Sequence, residues 1–309
     1  LRYDRRDRDV HALVRILPGV LLTAQDVIDE VPGAVINPVL PQGRADLLIR
    51  GSFDVHPEAL VHHQAPVLLN APRDRELLLR EKFHMDTVLT LPFDEGMMHM
   101  PWQEFAQMLV STYKAKALVC GHDFRFGHRG EGTAQTLSDY CRRENLPCSV
   151  VPDQILEGIR VSSTYIRQQL EDGHMATAVK FLGHPHILSG VVVHGKALGR
   201  TLGIPTANLA IPEGVVQLPF GVYACKITTD QGEFLAVTNV GTRPTVDNGM
   251  DVTVESWILD FDGDLYGQTI RVEFFHHIRD EVRFDSLDAL KTQITADAET
   301  TRRFFASQN

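Results

Sequence analysis

A change of hydrophobic rhythm at Gly183-His184-Pro185 divides this chain into two separate folding problems. Upstream of it, the apolar stretches at 46–49 and 87–91 read as buried strands, 101–109 has helical spacing, and 118–120 supplies another short strand before a glycine-bearing turn. Strands alternating with helices at these intervals predict a parallel sheet with helices on both faces, whose ligands sit beyond the carboxyl ends of the strands. Helical spacing returns at 163–170 and 175–182 and is then broken by the glycine and proline. Downstream, short runs at 188–194, 221–228, 234–240, 251–261 and 269–275 are separated by turns and followed by one helical stretch, 287–306. A small antiparallel barrel closed by a C-terminal helix is the economical answer to that pattern. Asp262-Gly263, between two of the runs, predicts a hairpin turn, because glycine tolerates positive φ. The expected domains are 1–183 and 184–309, and 309 residues with 43% hydrophobic content suffice for two cores.

The formal net charge of -10 argues against a general nucleic-acid or membrane-surface binder, although a local basic cluster can still hold a compact anion. Cys120, Cys141, Cys148 and Cys225 show no CxxC pair and no metal-ligand rhythm. With no signal-like segment and no apolar run of about 18 residues, reduced thiols in a cytoplasm are expected. There is no internal repeat, and the opening mixes Arg2, Arg5, Arg6 and Arg8 with Asp4, Asp7 and Asp9, which reads as a solvated start. Nothing in the pattern fixes an oligomeric state.

The chemistry of the second half begins at Gly195, Gly199 and Gly203, spaced by four with Lys196 and Arg200 between them. Backbone N–H groups of such a loop approach phosphate oxygens closely, and the two cations add charge. No Gly-Lys-Ser/Thr follows, so this is not a Walker loop, and glycines at this spacing are also what a plain loop looks like. Pro205-Thr206-Ala207-Asn208 adds more. A rigid proline start presents the Thr206 hydroxyl and the Asn208 amide oxygen on one side of an extended segment. Both are hard oxygen donors of the kind a phosphate-bound Mg²⁺ accepts. Asp262 and Asp264 flank Gly263, but the remaining ligands of a calcium loop are missing, so a polar turn is the expected role.

These residues resemble riboflavin kinase in the form found in bacterial bifunctional riboflavin kinase/FAD synthetases. Gly199 to Asn208, Phe220-Gly221-Val222-Tyr223, Asn239-Val240-Gly241-Thr242-Arg243-Pro244-Thr245 and Asp260-Phe261-Asp262-Gly263-Asp264-Leu265-Tyr266-Gly267 recur in the family's order. The resemblance implies phosphorylation of riboflavin to FMN with ATP, Mg²⁺ on Thr206 and Asn208, and Glu255 as general base. It also implies phosphate contacts from Gly195, Lys196, Gly199, Arg200 and Gly203, and places Arg279 and Glu281 near the isoalloxazine. For those last two residues an ordinary ion pair beside the helix is the competing reading. Beside the resemblance stands a chemical argument: a primary alcohol is a poor nucleophile, and a positioned carboxylate accepts its proton as the bond to phosphorus forms. On a period of two, Glu255 shares a strand face with Thr253 and Trp257.

The first half resembles the FMN adenylyltransferase module of the same enzymes from about Phe53 onward, which implies a Rossmann-like nucleotidyltransferase sheet. Phe53-Asp54-Val55-His56-Pro57, Leu91-Pro92-Phe93-Asp94 and Gly121-His122-Asp123-Phe124-Arg125-Phe126-Gly127 match its strand ends and its flavin and nucleotide loop. Asp123, Phe124 and Phe126 carry that loop. Arg160 to Arg167 resembles the family's phosphate-binding signature, with Arg160, Ser163, Thr164 and Arg167 as its polar members. Ser163 and Thr164 at a helix start either cap it or face an anion with its free N–H groups.

One departure stands out. The family's adenylyl transfer uses a His-x-Gly-His motif, and none occurs in these 309 residues. Asp9-Val10-His11 is a faint echo, and His56, His62 and His63 sit on another element. Adenylylation of FMN to FAD is therefore in doubt. Two explanations are open: residues 1–50, which begin with Leu, are an out-of-frame or misassigned start, or the module has lost its first strand and survives as a scaffold. The competing functional class is a non-catalytic flavin- or nucleotide-binding regulatory protein. Retention of Thr206, Asn208 and Glu255 together favours the enzyme.

Overall fold

The computed structural model describes residues 21–24, 47–53, 60, 66–194, 203–244 and 250–308. They form two compact units, the first ending at Ser163 and the second running from Thr164 to the C-terminus together with Val67–Asp74. Gly195, Lys196, Gly199 and Arg200 lie outside the described residues.

In the first unit, strands β1 (Leu21–Ala24), β2 (Leu47–Phe53), β3 (Thr87–Leu91), β4 (Ala117–Gly121) and β7 (Cys148–Val151) form one sheet in the order β3-β2-β1-β4-β7. The short strands β5 (Arg125–Phe126) and β6 (Gly132–Thr133) pair with each other beyond β4, as do β8 (Ile155–Leu156) and β9 (Ile159–Arg160) beyond β7. β2 runs parallel to β3, and β4 parallel to β7, as the alternation of strands and helices predicts. The atypical start shows at the centre. β1 is antiparallel to both neighbours, with Leu22 opposite Ile49 on one side and Leu118 on the other. A reversed strand still satisfies its neighbours' backbone groups, so a short apolar run can hold the central place without the expected direction.

Helices α1 (Pro72–Glu81), α2 (Glu95–His99), α3 (Trp102–Ser111) and α4 (Ala134–Arg143) complete the alternation. Phe105, Ala106 and Leu109 of α3 and Leu137 and Cys141 of α4 pack with Leu118 and Cys120 of β4 in one core. The start of α4 is fixed by a reciprocal cap in which the Thr136 N–H donates to the Thr133 hydroxyl at 3.1 Å and the Thr133 N–H to the Thr136 hydroxyl at 2.6 Å.

The second unit opens with α5 (Ser163–Glu171) and α6 (Met175–Leu182), and Gly183 ends α6 in the left-handed conformation, φ 75°. Strands β10 (His186–Val191), β11 (Thr206–Ala210), β12 (Gly221–Thr229), β13 (Gly232–Pro244), β14 (Met250–Ile258) and β15 (Thr269–Asp280) form an antiparallel sheet in the order β10-β15-β12-β13-β14-β11. The sheet curls until Val193, just past β10, donates to the Asn208 carbonyl at 3.0 Å, which brings its two edges together. Helix α7 (Leu287–Ala306) covers β12 and β13; β12 is buried on both faces over residues 221–225, while Lys226 and Thr228 beyond them are only partly buried. Its start is capped by Ser286, whose hydroxyl accepts the Ala289 N–H at 3.1 Å.

One expectation fails. β14 pairs with β13 and β11, while β15 pairs with β10 and β12, so Asp262-Gly263 is not a hairpin turn. The extended run stops at Ile258, Asp260 turns to φ 57°, and the chain crosses to a different part of the sheet. The Asp264 carboxylate holds that connection by accepting the Tyr266 N–H at 3.0 Å. Among the described residues no helix is long and apolar enough to cross a membrane.

Candidate active site

Strand register assembles the site of the second unit. Asn208 on β11 lies opposite Glu255 on β14, and Glu255 lies opposite Asn239 on β13. The same transverse row continues through Val222 on β12 to Arg279 on β15. Residues directly opposed across antiparallel strands share a face. Here alternation buries Val254 and Ser256 in the barrel and turns Glu255 and Trp257 toward α7. Between that face and the helix is a cavity of about 350 Å³ bordered by Thr206, Asn239, Glu255, Trp257, Arg279 and Glu281, with Leu290, Ile294 and Asp297 of α7 opposite. The carboxylate, the threonine and the arginine identified from sequence thus open on one space.

Asn208 is 4% exposed, and its amide nitrogen donates to the Thr206 carbonyl at 3.3 Å. Its side-chain oxygen is buried with no hydrogen-bond partner among the described residues. An unpaired buried acceptor costs roughly 1–3 kcal/mol, so a hard cation there would satisfy an otherwise unmet group. The donor set therefore fits Mg²⁺. Thr206 borders both the large cavity and a second one of about 210 Å³, whose other walls include Asp262, Asp264 and Tyr266. Gly203, at the approach to β11, has φ 75° and open space where a Cβ would stand.

Arg279 is clamped rather than free. Its Nε and Nη2 donate to the Asp297 carboxylate at 2.9 to 3.2 Å, its Nη1 donates to the Asp280 carbonyl at 3.0 Å, and the guanidinium lies 5.6 Å from the centre of the Phe284 ring. Gln293 donates to the same carboxylate at 2.9 Å. Glu281 reaches over Gly241, where a Cβ would come within 2.6 Å of its Oε1, so a side chain there would push the Glu281 carboxylate aside. Sequence reasoning missed Asn239, Trp257 and Asp297. The signal for Asp297 was present: with Ala298, Thr301 and Phe305 it lies on the buried stripe of α7, where an acid requires a cationic partner.

In the first unit, Arg160 Nη2 meets Asp123 Oδ2 at 2.7 Å and its Nε meets Asp153 Oδ1 at 2.7 Å, while His122 Nε2 stands 3.7 Å from Asp153 Oδ2. Phe124 stacks on Phe126 with ring centres 5.1 Å apart, and Phe126 is buried in the core against Phe105. Ser163 and Thr164 are the first two residues of α5, so the capping position falls on Ser162. On the same helix Arg167 is half-buried, and its Nε has no hydrogen-bond partner among the described residues.

The family model for riboflavin kinase matches residues 182–305, which contain the entire transverse row, and that for FAD synthetase matches residues 41–165. A bifunctional riboflavin kinase/FMN adenylyltransferase of Haemophilus influenzae is 38% identical over 258 residues, 82% of this chain and 83% of that protein. The chain belongs to the bifunctional riboflavin kinase/FMN adenylyltransferase family. The Escherichia coli K12 member is 39% identical over 256 residues, 82% of this chain and 81% of its own length. A crystal structure of a Streptococcus pneumoniae protein named macrolide-efflux protein superposes with a TM-score of 0.71 at 33% identity, covering 82% of each chain. This family member therefore carries a riboflavin kinase domain and an FAD synthetase domain, and nothing in these likenesses favours the non-catalytic alternative.

Proposed function

We propose that the second unit moves the γ-phosphoryl group of ATP onto the primary hydroxyl of riboflavin, with Glu255 accepting the hydroxyl proton. The observation that carries this reading is the register of β11, β14 and β13, which seats Glu255 between Asn208 and Asn239 at the edge of an apolar cavity. Trp257, Val222 and Val237 supply flat apolar walls for the isoalloxazine, and Glu255 faces the same space at the end where the ribityl chain would finish. Thr206 borders both cavities, so the nucleotide's phosphates in the smaller one and the acceptor alcohol in the larger one would meet beside it. Mg²⁺, held by the Thr206 hydroxyl and the Asn208 side-chain oxygen, would supply charge neutralisation on the phosphates. Gly195, Lys196, Gly199, Arg200 and Gly203 would contact those phosphates. The Asp297 carboxylate holds the Arg279 guanidinium at the flavin side of the pocket, next to Glu281. The kinase domain is read as 184–309 and the preceding domain as 1–183.

The domain read as 1–183 is an adenylyltransferase in this reading, with Asp123, Phe124, Phe126, Arg160, Ser163, Thr164 and Arg167 as its nucleotide and flavin contacts. Its FAD-forming step is expected to be slow for want of the His-x-Gly-His imidazoles. The substrates are small molecules, the setting is cytoplasmic, and nucleic acid is not a partner. Incubation with riboflavin, ATP and Mg²⁺, followed by chromatography of the flavins, tests the reading: FMN is expected, and unchanged riboflavin overturns it.

A further inference from the structure

Asn239 completes the polar row on the side of Glu255 away from Asn208. Neighbouring strands stand about 4.8 Å apart, so Asn239 is one strand's width from the proposed base and on the same face. On that face its neighbours in the row are Glu255 on one side and Val222 on the other, and Val237 and Trp257 form the next pair along the strands. It borders the cavity and is half-buried. Its amide nitrogen stands 3.0 Å from the point above Gly241 that a Cβ would fill, and Glu281 Oε1 is 2.6 Å from the same point. The donor end of the amide is thus turned along the cavity toward Glu281. No side-chain hydrogen bond joins Asn239 to another described residue.

A half-buried amide at the cavity wall has one donor group and one acceptor to satisfy, and a hydroxyl matches both at once. If the terminal hydroxyl of the acceptor sits at Glu255, the neighbouring hydroxyls of its polyol chain are the groups that pass Asn239. We infer that Asn239 is a specificity-determining residue that reads a non-terminal ribityl hydroxyl. The inference rests on the kinase reading above and adds to it a reason why a polyol, rather than any flavin bearing a primary alcohol, is the preferred acceptor. A site that binds a hydroxyl rejects the analogue lacking it, because the protein group is left unpaired.

The test uses the full chain, ATP, Mg²⁺ and a set of riboflavin analogues that each lack one non-terminal ribityl hydroxyl but keep the primary one. The wild-type protein is expected to favour riboflavin over one of these analogues by about tenfold in kcat/KM, the worth of one hydrogen bond. Asn239→Ala should lose that preference and use riboflavin no better than the analogue. Asn239→Ser, which retains a small polar group, should recover part of it. Equal slowing of riboflavin and every analogue by Asn239→Ala, or discrimination unchanged from wild type, would overturn the inference alone. Absence of FMN from the wild-type protein would instead sink the kinase reading and take this inference with it.

Discussion

Glu255 owes its proposed role to strand alternation, which buries the residues on either side of it and leaves its carboxylate at a cavity edge beside Asn208. Replacing it with glutamine keeps the shape and removes the proposed base. Glu255→Gln is expected to lower kcat for FMN formation by about 10²- to 10⁴-fold, with little change in the KM for ATP, as measured by steady-state flavin chromatography. At Asn208 the proposed metal binding can be tested apart from folding. Its buried oxygen makes no hydrogen bond among the described residues, so Asn208→Ala should change unfolding free energy without metal by no more than about 1 kcal/mol, while raising the Mg²⁺ concentration for half-maximal turnover. A Mg²⁺ titration paired with urea unfolding checks both halves. Thr206, Asn208 and Glu255 were legible in the sequence because each sits in a local motif. Asn239 was not, although it lies in a motif of its own, because its place beside Glu255 depends on the pairing of two strands and no local pattern encodes register.

Among the elements, α7 does most to shape the pocket, and its bounds follow from its periodicity: 287–306 is both the expected and the observed helix. What the periodicity left out was Asp297, a buried acid whose partner Arg279 lies on β15. Asp297→Ala strands that guanidinium, which is a fifth exposed, so the expected loss is near the lower end for a broken buried pair, about 3 kcal/mol in urea unfolding. β15 also sets off the failed hairpin. Two apolar runs with Asp-Gly between them look adjacent, yet β13 and β12 separate them in the sheet, and local turn chemistry carries no information about that crossing. At the other edge, β10 holds His186 fully buried beside the Phe274 ring, and burial, reinforced by nearby His184, pushes its imidazole down to about 3. The ordinary value in an unfolded chain is about 6.5. As pH falls below that, the unfolded chain takes up a proton that the folded one refuses, so stability is lost progressively between about 6.5 and 3, by up to about 1.4 kcal/mol per pH unit. His186→Phe should flatten that acid limb in thermal unfolding at pH 7.5 against pH 5. An unchanged pH dependence would show that other groups govern it.

At the scale of the whole molecule, the two halves differ in how completely they carry their family's chemistry. The kinase match, 182–305, takes in the proposed metal donors, the proposed base and the clamped arginine, whereas the FAD synthetase match begins at residue 41 and the His-x-Gly-His motif occurs nowhere in the chain. The sequence made this asymmetry visible, since a motif is either written or not. It could not show that an antiparallel β1 would occupy the centre of the first sheet, because a four-residue apolar run satisfies its neighbours in either direction. A sheet can be completed in this way without completing a site. The missing imidazoles would have stabilised charge on the transferred α-phosphate, and loss of such groups costs about two to three orders of magnitude in rate for each one removed. The Arg160 guanidinium is paired with Asp123 and Asp153, and it offers charge rather than an imidazole. With riboflavin, ATP and Mg²⁺, the chain should therefore accumulate FMN, and with FMN supplied directly, FAD should form at least a hundredfold more slowly than FMN forms from riboflavin. Time courses of both reactions by flavin chromatography decide it. FAD appearing as fast as FMN would mean that other residues of the first unit perform the adenylyl transfer, and the proposed division of labour would be wrong.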